Sequence, residues 1–120
     1  MTTAMASASL ESVLTQVAQR GLARMDLAAV KAAALAVWYG TETPNFADLQ
    51  GPHAADAMQL VERLSYYNLV PQPRKKALLG RVRVALSAHK DVARADFEAT
   101  YKTFLPQLQP LQTRHYAAWA

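Results

Sequence analysis

The sequence contains no cysteine, which removes disulfides, thiolate nucleophiles and zinc–thiolate centres from consideration. Glycine is scarce, four residues in 120, and no glycine-rich loop follows a strand pattern, so a phosphate-cradling loop is absent. The alanine-rich remainder favours helix over sheet. Charge is scarce as well: 18% of residues are Asp, Glu, Lys or Arg, against 52% hydrophobic. That balance is apolar for a globular domain and implies that some apolar surface meets a partner. No apolar run approaches the ~20 residues needed to cross a bilayer. Met1–Ala8 lacks the basic region and continuous apolar segment of a signal peptide and is expected to fray. The expected location is therefore cytoplasmic.

What is present is enough for one domain over residues 1–120, with a real core. The formal charge of +4, from 13 Lys and Arg against 9 Asp and Glu, steers the chain toward acidic partners without identifying a nucleic-acid binder. There is no repeat at a fixed period and no long heptad run.

Asp26–Gly40, DLAAVKAAALAVWYG, is the most apolar stretch, with Lys31 its one charge after Asp26. A helix apolar all round belongs inside a protein. The expectation is a buried central helix over residues 26–39, capped by Asp26 and closed by a left-handed Gly40. Ala33 and Ala34 should be inaccessible, and the Trp38 indole should find an acceptor. Upstream, Ser7 or Ser9 can cap a helix with Leu10, Val13, Leu14, Val17, Gly21 and Leu22 on its inner face. Gly21 either ends that helix or admits a close neighbour; continuation to Met25 is expected.

Phe46–Leu49 reads as one helical turn, and Gly51-Pro52 opens an amphipathic helix over His53–Asn68. Its inner stripe is Ala54, Ala57, Val61 and Leu64, widened by Leu60, with Gln59, Glu62, Arg63 and Tyr66 outside. Asn68 is a plausible stop, and Leu69 and Val70 should tuck into the core. Pro73 begins a helix to about His89 whose core face is Leu78, Leu79, Val82, Ala85 and Leu86. Asp91 caps another helix that Pro106 should stop, with a Glu98–Lys102 pair outside. Pro110 should start a last helix bringing Leu108, Leu111, His115 and Trp119 to one face. Trp119 would fold back as a wedge or contact another chain. The fold class is all-α: a compact bundle of about six helices around the central one.

Chemistry-bearing residues are thin. His53, His89 and His115 lie far apart with no ligand spacing, so structural or surface roles are expected and no metal or cofactor is. Asp48, Asp56 and Glu62 fall in one segment, but the wheel turns Asp56 and Glu62 outward as solvated charge. No serine lies in a nucleophile elbow. The chain does not read as an enzyme.

One surface stands out. Arg74–Lys90 carries basic residues and no Asp or Glu. Arg74 and Arg81 fall on one flank, Lys76, Arg83 and Lys90 on the other. Between them runs an outward stripe of Ala77, Gly80, Val84 and Ala88. Such a helix can be a solvated flank, can meet an acidic protein surface, or can bind phosphates with Tyr66 and Tyr67 stacking on bases.

The pattern from Ala57 to Ala95, AMQLVERLSYYNLVPQPRKKALLGRVRVALSAHKDVARA, resembles the later helices of the small death-fold-like effector-associated domains of prokaryotic defence and signalling proteins. VLTQVAQRGL and the Phe46–Leu49 turn would supply the earlier helices. The resemblance rests on pattern and implies homotypic helix–helix recruitment of an effector. The expected function is a non-catalytic adaptor or assembly domain. Its partner surface is Tyr66, Arg74, Lys76, Ala77, Gly80, Arg81, Arg83 and Val84, engaging an acidic or apolar helix or its own copies. The alternative is a small helical nucleic-acid-binding subunit using the basic helix 73–90.

Overall fold

The computed structural model of the chain describes residues 9–66, 70–89 and 94–119, with side chains as far as Leu111. These residues form five α-helices: α1 Leu10–Arg20, α2 Leu27–Tyr39, α3 Ala54–Ser65, α4 Gln72–Leu86 and α5 Arg94–Trp119. Two short 3-10 turns, Leu22–Arg24 and Phe46–Asp48, lie between the first three, and no strand occurs among the described residues. The expected caps Asn68 and Asp91, with Tyr67, Leu69 and Lys90, lie outside the described residues.

Helix α1 begins as its sequence dictates. The Ser9 hydroxyl accepts the Ser12 N–H at 3.0 Å, and the Glu42 carboxylate accepts the Glu11 N–H at 3.1 Å. The helix ends five residues earlier than Met25, because Gly21 turns to φ 89°. That conformation is one in which a Cβ is strained. Space is also taken: a Cβ on Gly21 would lie 3.1 Å from the His53 ring. Gly21 therefore ends the helix.

Helix α2 is capped by Asp26, whose side chain accepts the Ala29 N–H at 2.9 Å. Ala33 and Ala34 are fully buried, and the Trp38 indole N–H donates to the Leu64 carbonyl at 3.2 Å, as expected. Gly40 differs from expectation: its φ is −74°, extended rather than left-handed. The Gly40 N–H still donates to the Ala36 carbonyl at 3.0 Å, and a side chain from α4 also reaches the carbonyls at this helix end.

The central position belongs to α3, not α2. Helix α3 packs against each of the other four helices. Along α2, Ala28 is exposed and Lys31, Ala32, Leu35 and Ala36 are half-buried, so one side of it faces outward. Alanine is small enough to be neutral there, which is why hydrophobicity alone overstates its burial. In α3 even Gln59 and Ser65 are buried. Each satisfies its side chain on the carbonyl four residues back, Gln59 on Ala55 at 3.3 Å and Ser65 on Val61 at 2.7 Å. That local bond is how a polar residue enters a core without an orphaned donor. Val70 is buried beside α3, as expected.

Helix α5 replaces the two helices expected at the end. It runs through Pro106 and Pro110 without a break, so the described helices number five. A proline inside a helix loses one N–H bond and crowds the carbonyl four residues earlier. Spaced by four, both prolines share the exposed side, while Phe97, Tyr101 and Leu108 are buried. Carbonyls left free on that side can be hydrated. The His115 and Trp119 side chains lie outside the described residues. Glu98 pairs with Arg63 of α3 instead of Lys102, and the Arg63 guanidinium sits 5.3 Å from the Tyr101 ring centroid.

Candidate functional site: the outer face of α4

Helix α4 starts at a proline-defined point, with Pro71 as cap and Pro73 in its first turn. Leu78, Val82, Ala85 and Leu86 bury its inner face, leaving Leu79 half-buried. The outward stripe comes out as the wheel placed it: Ala77, Gly80, Val84 and Ala88 are all exposed. Val84 is 74% exposed, a large apolar side chain standing in water. A Cβ on Gly80 would meet nothing within 4 Å. Gly80 thus leaves open space beside Val84.

That space is one side of a groove of 420 Å³. Gly80, Arg81, Val84 and Ala85 form the α4 wall; Asn45, Phe46 and Ala47 form the other. The second wall exists because the Asn45 side chain accepts the Ala47 N–H at 3.3 Å and starts the 3-10 turn. Phe46 anchors the turn, 1% exposed. Sequence reasoning identified this turn but did not connect it with α4. The signal available was a lone Phe among turn-forming residues, which demands a core to bury it, though not which helix lies alongside.

The cations divide into two kinds. Lys76 and Arg81 are exposed on the two flanks of the stripe. Arg74 is turned inward. Its guanidinium donates to the carbonyls of Val37, Ala36 (3.4 Å) and Glu42 (2.9 Å), closing the C-terminal end of α2. A cation there also answers the partial negative charge of a helix end. Burial pushes the Arg74 guanidinium below its ordinary range, partly offset by the Glu42 carboxylate. Its Nε is buried and finds no acceptor among the described residues. Arg74 was expected to face a partner; it is instead engaged as a clamp on the end of α2.

Arg83 is held on the surface. It donates to the Tyr66 hydroxyl, lies 5.7 Å from that ring's centroid, and approaches the Glu62 carboxylate at 3.6 Å. The hydrogen bond to Tyr66 is the leading cause that raises its pKa. Glu62 also takes Arg94 of α5 at 3.0 Å. One carboxylate between two guanidiniums leaves this cluster net positive. Tyr66 is 47% exposed and shares this surface with Arg83, through both its hydroxyl and its ring. Glu62 was expected as solvated charge; it is a two-arginine hub instead.

A second cleft, of 380 Å³, opens where α1 ends against α3 and α5. Two of its titratable residues, Asp56 and His53, sit together at the end of α1. Asp56 accepts the Leu22 N–H at 3.2 Å and sits 3.9 Å from His53. The Thr100 hydroxyl donates to the Asp96 carbonyl at 3.1 Å. Asp56, like Glu62, is engaged rather than merely solvated. Among the described residues no group of three or more His, Asp or Glu is placed to hold a metal ion, and no helix is long and apolar enough to cross a membrane.

The fold and this face define the class: an all-α bundle whose fourth helix shows an apolar stripe between cations. No family model, curated protein or solved structure matches the chain.

Proposed function

We propose that the chain is a non-catalytic, cytoplasmic docking domain that recruits another protein through the outer face of α4. The observation that carries this reading is Val84, 74% exposed beside an open groove on a helix that has no acidic residue. An exposed apolar side chain next to a concavity gains free energy only when something covers both. The contact residues are Lys76, Ala77, Gly80, Arg81 and Val84, with Tyr66 and Arg83 at the edge. The resemblance to death-fold-like effector-associated domains supports the same kind of role, recruitment by a helix surface within a prokaryotic defence or signalling system.

Phosphate binding is the less favoured reading. It needs many free cations, and Arg74 is spent on backbone carbonyls while Arg83 is shared with Glu62 and Tyr66. Photo-crosslinking distinguishes the two. With benzoylphenylalanine placed at Val84, protein adducts are expected in host cells, and Gly80→Phe, which fills the groove, should abolish them. Adducts to nucleic acid alone, or none, would overturn the proposal.

A further inference from the structure

The charge pattern of α4 narrows the partner. Resting on the docking reading above, we infer that the groove receives an acidic amphipathic helix, which seats a bulky apolar side chain against Val84 and Gly80.

Three features select this occupant. The groove runs beside about one turn of α4, from Gly80 to Ala85, against a short wall that ends with the 3-10 turn. A helix laid there presents anchors at three- and four-residue spacing, and its nearest side chain finds an apolar space of 420 Å³. Gly80 brings the partner's backbone closer than any other residue would, since its missing side chain leaves nothing within 4 Å.

The flanks then choose the charge. Arg81 stands on one side of the stripe and Lys76 on the other, both exposed. The Arg83–Glu62–Arg94 cluster adds a further net positive charge along the Lys76 side. On α4 there is no carboxylate to balance these. A partner that follows α4 with Asp or Glu beside its apolar seam meets Arg81 in the groove wall and Lys76 across the stripe, while the opposite wall, Asn45 to Ala47, supplies no cation. A second copy of this chain, docking α4 on α4, would instead bring Arg81 and Lys76 against their own counterparts. Like charges facing across an interface are repelled, so self-association through this face is disfavoured.

The test is an unbiased selection with the full 120-residue chain. A displayed library of helical 15-residue peptides, randomised at outward positions, is panned on the wild type and on Gly80→Phe. Recovered helices should carry a Leu, Phe or Met anchor flanked by Asp or Glu. Their binding should weaken about tenfold or more in Arg81→Glu, and weaken as salt shortens the reach of the charges. Enriched helices that lack an acidic excess, yet fail to bind Gly80→Phe, would overturn the charge assignment and leave the docking reading standing. No enrichment over Gly80→Phe would overturn both. Sedimentation supplies the remaining arm: a dimer dissociated by Arg81→Glu or Gly80→Phe would show that a second copy occupies the groove.

Discussion

Arg74 shows how one residue's role changes when its surroundings are known. The helical period places it with Arg81 on one flank of the outward stripe. In space its fork reaches the last carbonyls of α2 and the Glu42 carbonyl. Hydrogen bonds from a charged donor are worth about 1.5–3 kcal/mol. Arg74→Ala should therefore lower unfolding stability by about that amount in urea denaturation, without touching the groove. Arg74→Lys should recover only part of it, since an ammonium is a point charge and cannot span three acceptors in a plane. A neutral effect of Arg74→Ala would show that water replaces the clamp at no cost. Trp38 makes the opposite point. Its need for an acceptor was legible because a buried indole N–H must be met somewhere; that Leu64 supplies it was not.

Among the elements, α1 and α5 end where local rules and tertiary packing disagree. Gly21 was readable as a stop or as a contact point, and both readings hold: it stops α1 at positive φ while the His53 ring lies over it. Pro106 and Pro110 were readable only as breaks. Helix α5 continues through them because Leu108, fully buried between the two, ties the helix to the core. Packing thus offsets a propensity cost that reaches about 3 kcal/mol for a proline in a helix interior. Pro106→Ala and Pro110→Ala should each raise the melting temperature and increase far-ultraviolet helical ellipticity. A fall in stability would mean that the prolines are accommodated without strain and act by stiffening the unfolded chain. In α4 the agreement is close: Leu78, Val82, Ala85, Leu86 and the outward stripe lie where a 3.6-residue period puts them, while Leu79 is only half-buried and Arg74 is redirected.

At the scale of the whole molecule, α3 is the hub. It was legible as amphipathic, and its two sides of burial were not, because periodicity marks one buried stripe and cannot show a helix enclosed by four others. Leu60 is fully buried in it. Leu60→Ala leaves a cavity in the core and should cost about 2–5 kcal/mol. A domain of this size has a total of about 5–15 kcal/mol, so the variant should sit near the limit of cooperative folding in calorimetry. Val84→Ala, by contrast, should change stability by less than about 0.5 kcal/mol while removing the apolar side chain exposed at the groove. A large loss for Val84→Ala would mean that this face is packed within the molecule and is unavailable for docking.

Two kinds of information separate here. The all-α class, the Asp26 cap, a serine cap at Ser7 or Ser9, the burial of Ala33 and Ala34, and the two faces of α4 were legible in the sequence alone. The caps follow from neighbours within about one turn, and the buried positions follow from the period of the apolar residues. The tertiary structure decided which helix is central, that α5 passes through its prolines, that Arg74 closes α2, and that residues 45–47 wall a groove beside Val84. Those depend on contacts between residues roughly thirty or more positions apart. Periodicity carries the direction of a face but not the identity of what lies opposite it.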